Sequence, residues 1–172
     1  GFRIGDPNQW RLKQSLAGGG ALMDVGIYAL QAARYVAGEE PIEISATETK
    51  TDAVKFKEVD ESIVWSMRFP SGVIANCGTT YLVNGMNRVW AGAESGWFQL
   101  DPAYSYGGLK GRTSKAELDL PQVDHFATEM DDFANCILSR RPSKVSGEEG
   151  LRDLKLLSAI YQSIREGKAI KV

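Results

Sequence analysis

The spacing of apolar residues along the chain changes twice, from three and four to two and back again. Between about Ala21 and Val36, the residues Leu22, Val25, Ala29, Ala32, Ala33 and Val36 fall on one helical face. Gly38 and Pro41 then supply a C′ glycine and a downstream breaker, which ends the helix. Over residues 41–120 the period becomes two. Ile42–Thr49 and Ile63–Phe69 alternate, Pro70-Ser71-Gly72 reads as a hairpin turn, and Val73–Cys77 follows. Arg88–Gly92 suits pairing with Trp97–Leu100 across Glu94-Ser95-Gly96. Tyr104–Gly111 reads as a mobile loop or a ragged strand pair, and Ala116–Leu120 as one more short strand. A helix is then predicted from Pro121 to about Arg140, with Phe126, Met130, Phe133, Ile137 and Leu138 on one side and Pro142 as its stop. The Ser146-x-x-Glu149 spacing of a capping box opens a last helix that runs to about Glu166. Its stripe is Leu151, Leu154, Leu157, Ile160, Tyr161 and Ile164. Gly167 closes it, and Ala169–Val172 suits an edge strand.

A helix, a block of strands joined by short turns and two further helices predict an α+β fold. The expected architecture is an open, predominantly antiparallel β-sheet with helices packed on one face. Strand–helix alternation is absent, as are a Gly-x-Gly-x-x-Gly fingerprint and a P-loop, so the chain is not a doubly wound nucleotide-binding sheet. Residues 1–20, with turn chemistry at Gly5-Asp6-Pro7-Asn8, read as an irregular connection ahead of a domain formed by residues 21–172.

Composition narrows the function classes. At 172 residues with 43% hydrophobic and 24% charged positions, the chain is long enough for one packed domain and too apolar for disorder. A net charge of −2 speaks against a general nucleic-acid binder. No apolar run approaches the roughly 20 residues of a membrane span, and no signal-peptide pattern opens the sequence. Gly1 stands where a Met would start a complete chain, so a processed or excised piece is expected. Cys77 and Cys136 have no Cys-x-x-Cys or Cys/His company and read as buried free thiols. The single histidine, His125, excludes mechanisms needing two and reads as a packing or surface residue. No metal site is expected. Arg140-Arg141 and the lysines between Lys50 and Lys57 read as solvated surface.

Two features are open to chemistry. The run Gly18-Gly19-Gly20 is either a flexible turn or a place where some polar or anionic group approaches the N-terminus of the first helix. Asp24 and Tyr28 lie four apart on that helix, with Cβ atoms expected roughly 5–6 Å apart. A carboxylate on an otherwise apolar helix is costly if buried without partners. It is therefore either a late cap or ion-pair partner beside a core tyrosine, or it is aimed with the phenol into a cleft. Such a pair can hold polyol hydroxyls and pass a proton to a carbonyl oxygen.

Trp10-Arg11, Ala17-Gly18-Gly19-Gly20-Ala21-Leu22-Met23-Asp24-Val25-Gly26-Ile27-Tyr28, Gly38-Glu39-Glu40-Pro41, Asp124-His125-Phe126, and Ser146-Gly147-Glu148-Glu149-Gly150-Leu151 through Ala159-Ile160-Tyr161 and Gly167 occur in this order. Together they resemble the C-terminal domain of the glucose–fructose oxidoreductase/inositol dehydrogenase (Gfo/Idh/MocA) family over nearly the whole chain. The likeness is greatest to the glucose–fructose oxidoreductase branch. The resemblance implies an oxidoreductase that moves a hydride between nicotinamide and a sugar or polyol. It implies NAD or NADP as cofactor, bound mainly by an N-terminal Rossmann domain. That domain also carries the family's catalytic lysine in a Glu-Lys-Pro motif. Neither motif is in this sequence, so the chain is expected to be about the C-terminal half of the enzyme, inactive alone, with its own cofactor-binding residues unknown.

By the same resemblance Asp24 binds and orients the sugar. Tyr28 stands where many members have His and is the proton relay of the glucose–fructose oxidoreductase branch. Trp10 and Arg11 match a pair near the substrate. A free phenol has a pKa of about 10, too high for an efficient base near neutrality, and a neighbouring ammonium would lower it. Tyr104 and Tyr106 are either sugar-site lining or simple packing. Trp65, Trp90 and Trp97, if several fall on the sheet face away from the helices, predict a homo-oligomer through that face. The expected compartment is the cytoplasm, or the periplasm as for exported relatives. The alternatives are a non-catalytic binding or oligomerisation module with the same fold, and an inositol-type dehydrogenase with an unusual tyrosine.

Overall fold

The computed structural model describes Asp6 and residues 8–172, so the expected turn at Gly5–Asn8 lies partly outside the described residues. Two compact units emerge: the described residues through Asn84 together with Arg152–Val172, and Gly85–Leu151.

The first unit opens with a 3₁₀ turn, Trp10–Leu12, and a single turn of helix, α1 (Gln14–Ala17). The helix predicted from Ala21 is present but not uniform. Leu22–Gly26 is wound as a π turn, with Ile27 N–H donating to Leu22 O five residues back, and leads into α2 (Ile27–Ala37). Gly38, at φ 69°, ends α2 as expected. Strands β1 (Glu43–Thr49), β2 (Ser62–Arg68) and β3 (Ile74–Thr80) follow. The C-terminal helix α4 (Gly147–Glu166), from Arg152 onward, and the short strand β8 (Ile170–Lys171) complete the unit. The sheet is antiparallel, in the order β3-β2-β1-β8.

Register decides what this sheet buries. Trp65 stands opposite Ala46 and Cys77, and Met67 opposite Ile44, so Ile44, Ile63, Trp65 and Met67 share one face. Leu22 and Leu30 from the first helix and Leu156, Leu157 and Ile160 from α4 cover that face. Each such side chain contributes roughly 1.5–3 kcal/mol of burial, which outweighs the cost of about 0.5–1 kcal/mol for Gly26 inside a helix. Gly26 is needed here: a Cβ on it would meet Thr79 Cγ2 at 3.1 Å and Leu22 Cδ1 at 3.0 Å. Trp65 lies on the helix-covered face, so it does not meet the condition set for a tryptophan-rich outer face. That outer face carries Ser45, Thr47, Ser66 and Asn76, with exposed Val64 and Ile74.

A buried ion network ties the two helices. Arg34 Nη1 meets Asp153 Oδ1 at 2.5 Å, its Nε and Nη2 reach Glu40 at 2.8 and 2.6 Å, and Gln31 Nε2 donates to Asp153 Oδ2 at 2.6 Å. Arg34 and Asp153 are both buried.

In the second unit β4 (Val89–Ala93), β5 (Gly96–Leu100), β6 (Gly111–Thr113) and β7 (Glu117–Leu118) form a second antiparallel sheet in that order. The β4–β5 hairpin turns at Glu94-Ser95, as its spacing requires. Helix α3 (His125–Ser139) starts four residues later than Pro121, because Asp124 Oδ1 accepts Ala127 N–H at 3.1 Å and caps it there. The α+β class and the open antiparallel arrangement hold, with the strands divided between two sheets instead of one. The α4 stripe, expected to be buried, is so at Leu157 and Ile160 but exposed at Leu151 and Leu154. On α3, Phe126, Met130, Phe133, Ile137 and Leu138 are exposed and Cys136 is buried. Among the described residues no helix is long and apolar enough to cross a membrane, and no His/Cys/Asp/Glu cluster could hold a metal ion.

Candidate functional site

The glycine run is explained by what presses against it. Asp60, 4% exposed, accepts Gly20 N–H at 2.6 Å, Leu22 N–H at 2.7 Å and the Tyr161 hydroxyl at 2.6 Å. A Cβ on Gly20 would lie 2.0 Å from Asp60 O, and one on Gly19 2.3 Å from the Tyr161 hydroxyl oxygen. The anionic group expected at this helix N-terminus is thus a side chain of the same chain. It satisfies the orphan N–H groups and complements the helix dipole. Burial, with the charge of Asp60, holds the Tyr161 phenol well above its ordinary range, so it remains a donor.

Asp24 lies in the π turn that this cap anchors. Its Oδ2 accepts from Arg11 Nε at 3.1 Å and from the Tyr81 hydroxyl at 3.2 Å. The Arg11 guanidinium sits over the Trp10 ring at 4.4 Å, a cation–π contact. The structure therefore brings Trp10, Arg11 and Asp24, singled out through the resemblance, next to one another and adds Tyr81. Asp24 Oδ1 and the Arg11 Nη groups have no hydrogen-bond partner among the described residues, so an acceptor and donors stand side by side at a part-exposed surface. Tyr28 is the second residue of α2 and is 46% exposed. Because π winding separates it from Asp24, the α-helical stacking expected of residues four apart does not apply unchanged. π turns of this kind are frequent at functional sites.

The remaining candidates lie elsewhere. His125 is the first residue of α3, and Tyr104 and Tyr106 belong to the second unit, where Tyr106 packs on Phe126 with ring centroids 5.4 Å apart. A cleft of about 430 Å³ beside the glycine run is lined by Glu48, Lys50, Glu58, Asp60 and Tyr161 among others and includes neither Asp24 nor Tyr28. Two of its carboxylates have ion-pair partners, Glu48 in Lys50 at 3.1 Å and Glu58 in Lys13 at 3.8 Å. Asp60 and Tyr81 escaped sequence reasoning. Asp60 reads as one of several acids before β2, and Tyr81 as a strand-end aromatic.

A family model described as the GFO/IDH/MocA C-terminal domain matches residues 1–99, more than half of the chain. The chain belongs to this family. Among solved structures, the aldose-aldose oxidoreductase from Caulobacter crescentus complexed with glycerol is 43% identical, with a TM-score of 0.92 over 98% of this chain and 52% of that one. A D-xylose 1-dehydrogenase of Haloarcula marismortui, named for NADP(+), is 27% identical over 98% of this chain and 48% of its own length. The D-glucoside 3-dehydrogenase of Escherichia coli is 25% identical over 92% of this chain and 50% of its own. This GFO/IDH/MocA chain thus spans about half the length of the curated relatives it matches.

The glycine run offers no open phosphate cradle to a nicotinamide dinucleotide. The helix N-terminus after the glycine run, where a pyrophosphate would find free N–H groups, is filled by Asp60.

Proposed function

We propose that this domain is the substrate-side half of an NAD(P)-dependent sugar oxidoreductase whose cofactor is held outside these 172 residues. The observation that carries the proposal is the half-engaged carboxylate of Asp24. With Oδ2 fixed by two donors, Oδ1 is free to accept a sugar hydroxyl, and the Arg11 Nη groups can donate to its neighbour. Asp24 and Arg11, flanked by Trp10, bind and orient the sugar. Tyr28 gives or takes the proton at the oxygen of the carbon that changes oxidation state. The dehydrogenase and oxidoreductase names of the relatives support this chemistry.

Association of two copies through the outer face of the first sheet is also part of the proposal. It rests on exposed Val64 and Ile74 in place of the tryptophans. Light scattering of the full-length protein reads it directly, and a strict monomer overturns it. The activity itself is tested by assaying the full-length protein with NADP(+) and NAD(+) against a panel of aldoses and polyols. Nicotinamide reduction with at least one sugar is expected, and none with any of them overturns the proposal.

A further inference from the structure

We infer that Tyr81 is a positioning residue for the sugar site, acting through Asp24. The inference rests on the reading of Asp24 as the sugar-binding carboxylate. Tyr81 directly follows β3 and is 5% exposed. Its ring stacks on Phe56 with centroids 6.2 Å apart, in a small core with Leu12, Ala21 and Val59. Its backbone N–H donates to Glu61 O at 3.1 Å. Ring and backbone are therefore both fixed, so the direction of the hydroxyl's approach to Asp24 is set by the fold.

The other donor to Asp24 Oδ2, Arg11, is held differently. It is part-exposed on a 3₁₀ turn, and among the described residues its support besides Asp24 itself is an exposed tryptophan ring. A long side chain of that kind gives up rotamer freedom to stay in place. Tyr81 does not share this cost. Burial, followed by the negative charges of Asp24 and Asp60, keeps its phenol well above the ordinary range, so it presents a hydrogen to Asp24 at every pH of interest. Two donors on one oxygen pin the rotation of the carboxylate. The rigid donor determines where the unbonded Oδ1 points, and with it which sugar hydroxyl is met in line.

The test is a double-mutant cycle in the full-length enzyme, reading KM and kcat for the best aldose. Tyr81→Phe keeps the stacked ring and removes the hydroxyl. It is expected to raise KM about tenfold, the scale of a hydrogen bond to a charged group, with a smaller change in kcat. In an Asp24→Ala background, which removes the acceptor, the same substitution is expected to change KM by less than twofold. An unchanged KM for Tyr81→Phe alone, with KM raised by Asp24→Ala, overturns the role of Tyr81 and leaves that of Asp24 standing. Equal increases in both backgrounds show that Tyr81 acts on the fold and also overturn it. If Asp24→Ala itself leaves KM unchanged, the underlying sugar-site reading fails, and the inference with it. Should Tyr81→Phe not fold, Phe56→Leu loosens the stack under an intact hydroxyl. A KM rise that disappears in the Asp24→Ala background then supports the role, and one that persists overturns it.

Discussion

Asp60 accepts the backbone N–H of Leu22 at 2.7 Å from 38 residues away in the sequence. The helix carrying Asp24 and Tyr28 is thus capped by a distant loop, where a local Ser or Asp would normally serve. The same carboxylate holds Gly20 N–H and the Tyr161 hydroxyl, so the first helix and α4 share one buried anion.

Replacing Asp60 by Ala would leave two backbone N–H groups and a phenol without their acceptor. A loss of more than about 2 kcal/mol is expected, above the usual cost of a lost cap, because the site is buried. Urea unfolding measures it, and a loss below about 0.5 kcal/mol would contradict the capping role.

Arg34 and Asp153 form the second buried tie between the first helix and α4. Removing one partner, as in Asp153→Asn, is expected to cost about 3–5 kcal/mol, whereas replacing both with apolar residues of similar volume should recover most of it. Glu40 adds a pH signature. The Arg34 hydrogen bond holds its carboxyl below the ordinary value of 4.5, so its contribution is complete above pH 4.5 and is lost as pH falls through the lowered value. Thermal unfolding followed from pH 6 to pH 3 should therefore lose part of its acid slope in Glu40→Gln. An identical slope in both proteins would exclude that contribution.

Cys77 is a thiol whose burial pushes its pKa up to about 12, and its Sγ lies 3.7 Å from Ala29 O. Only the thiolate is nucleophilic. Iodoacetamide at neutral pH should modify native Cys77 far more slowly than the unfolded chain, and equal rates would show that the α2–β3 contact opens readily.

Much of the fold was legible because period and turn chemistry are local. The β2–β3 and β4–β5 hairpins, the edge strand at Ile170 and the closures at Gly38 and Gly167 followed from residues within a few positions of one another. What was not legible depends on long-range packing. The α3 stripe is periodic yet exposed, since periodicity shows that an apolar face exists and not what covers it. The π turn leaves no mark in a 3.6-residue pattern. In the site, Trp10, Arg11 and Asp24 were readable as a group through family resemblance. Tyr81 and Asp60 were not, because their roles depend on pairings across 57 and 38 residues.

The most direct measurement of the central claim is kcat of the full-length protein carrying Tyr28→Phe, which removes one oxygen from an exposed ring. If Tyr28 moves the proton at the sugar oxygen, kcat falls by a factor of about 10² or more, within the range typical of acid–base groups, while KM shifts little. A kcat within about twofold of the unsubstituted enzyme would contradict that role.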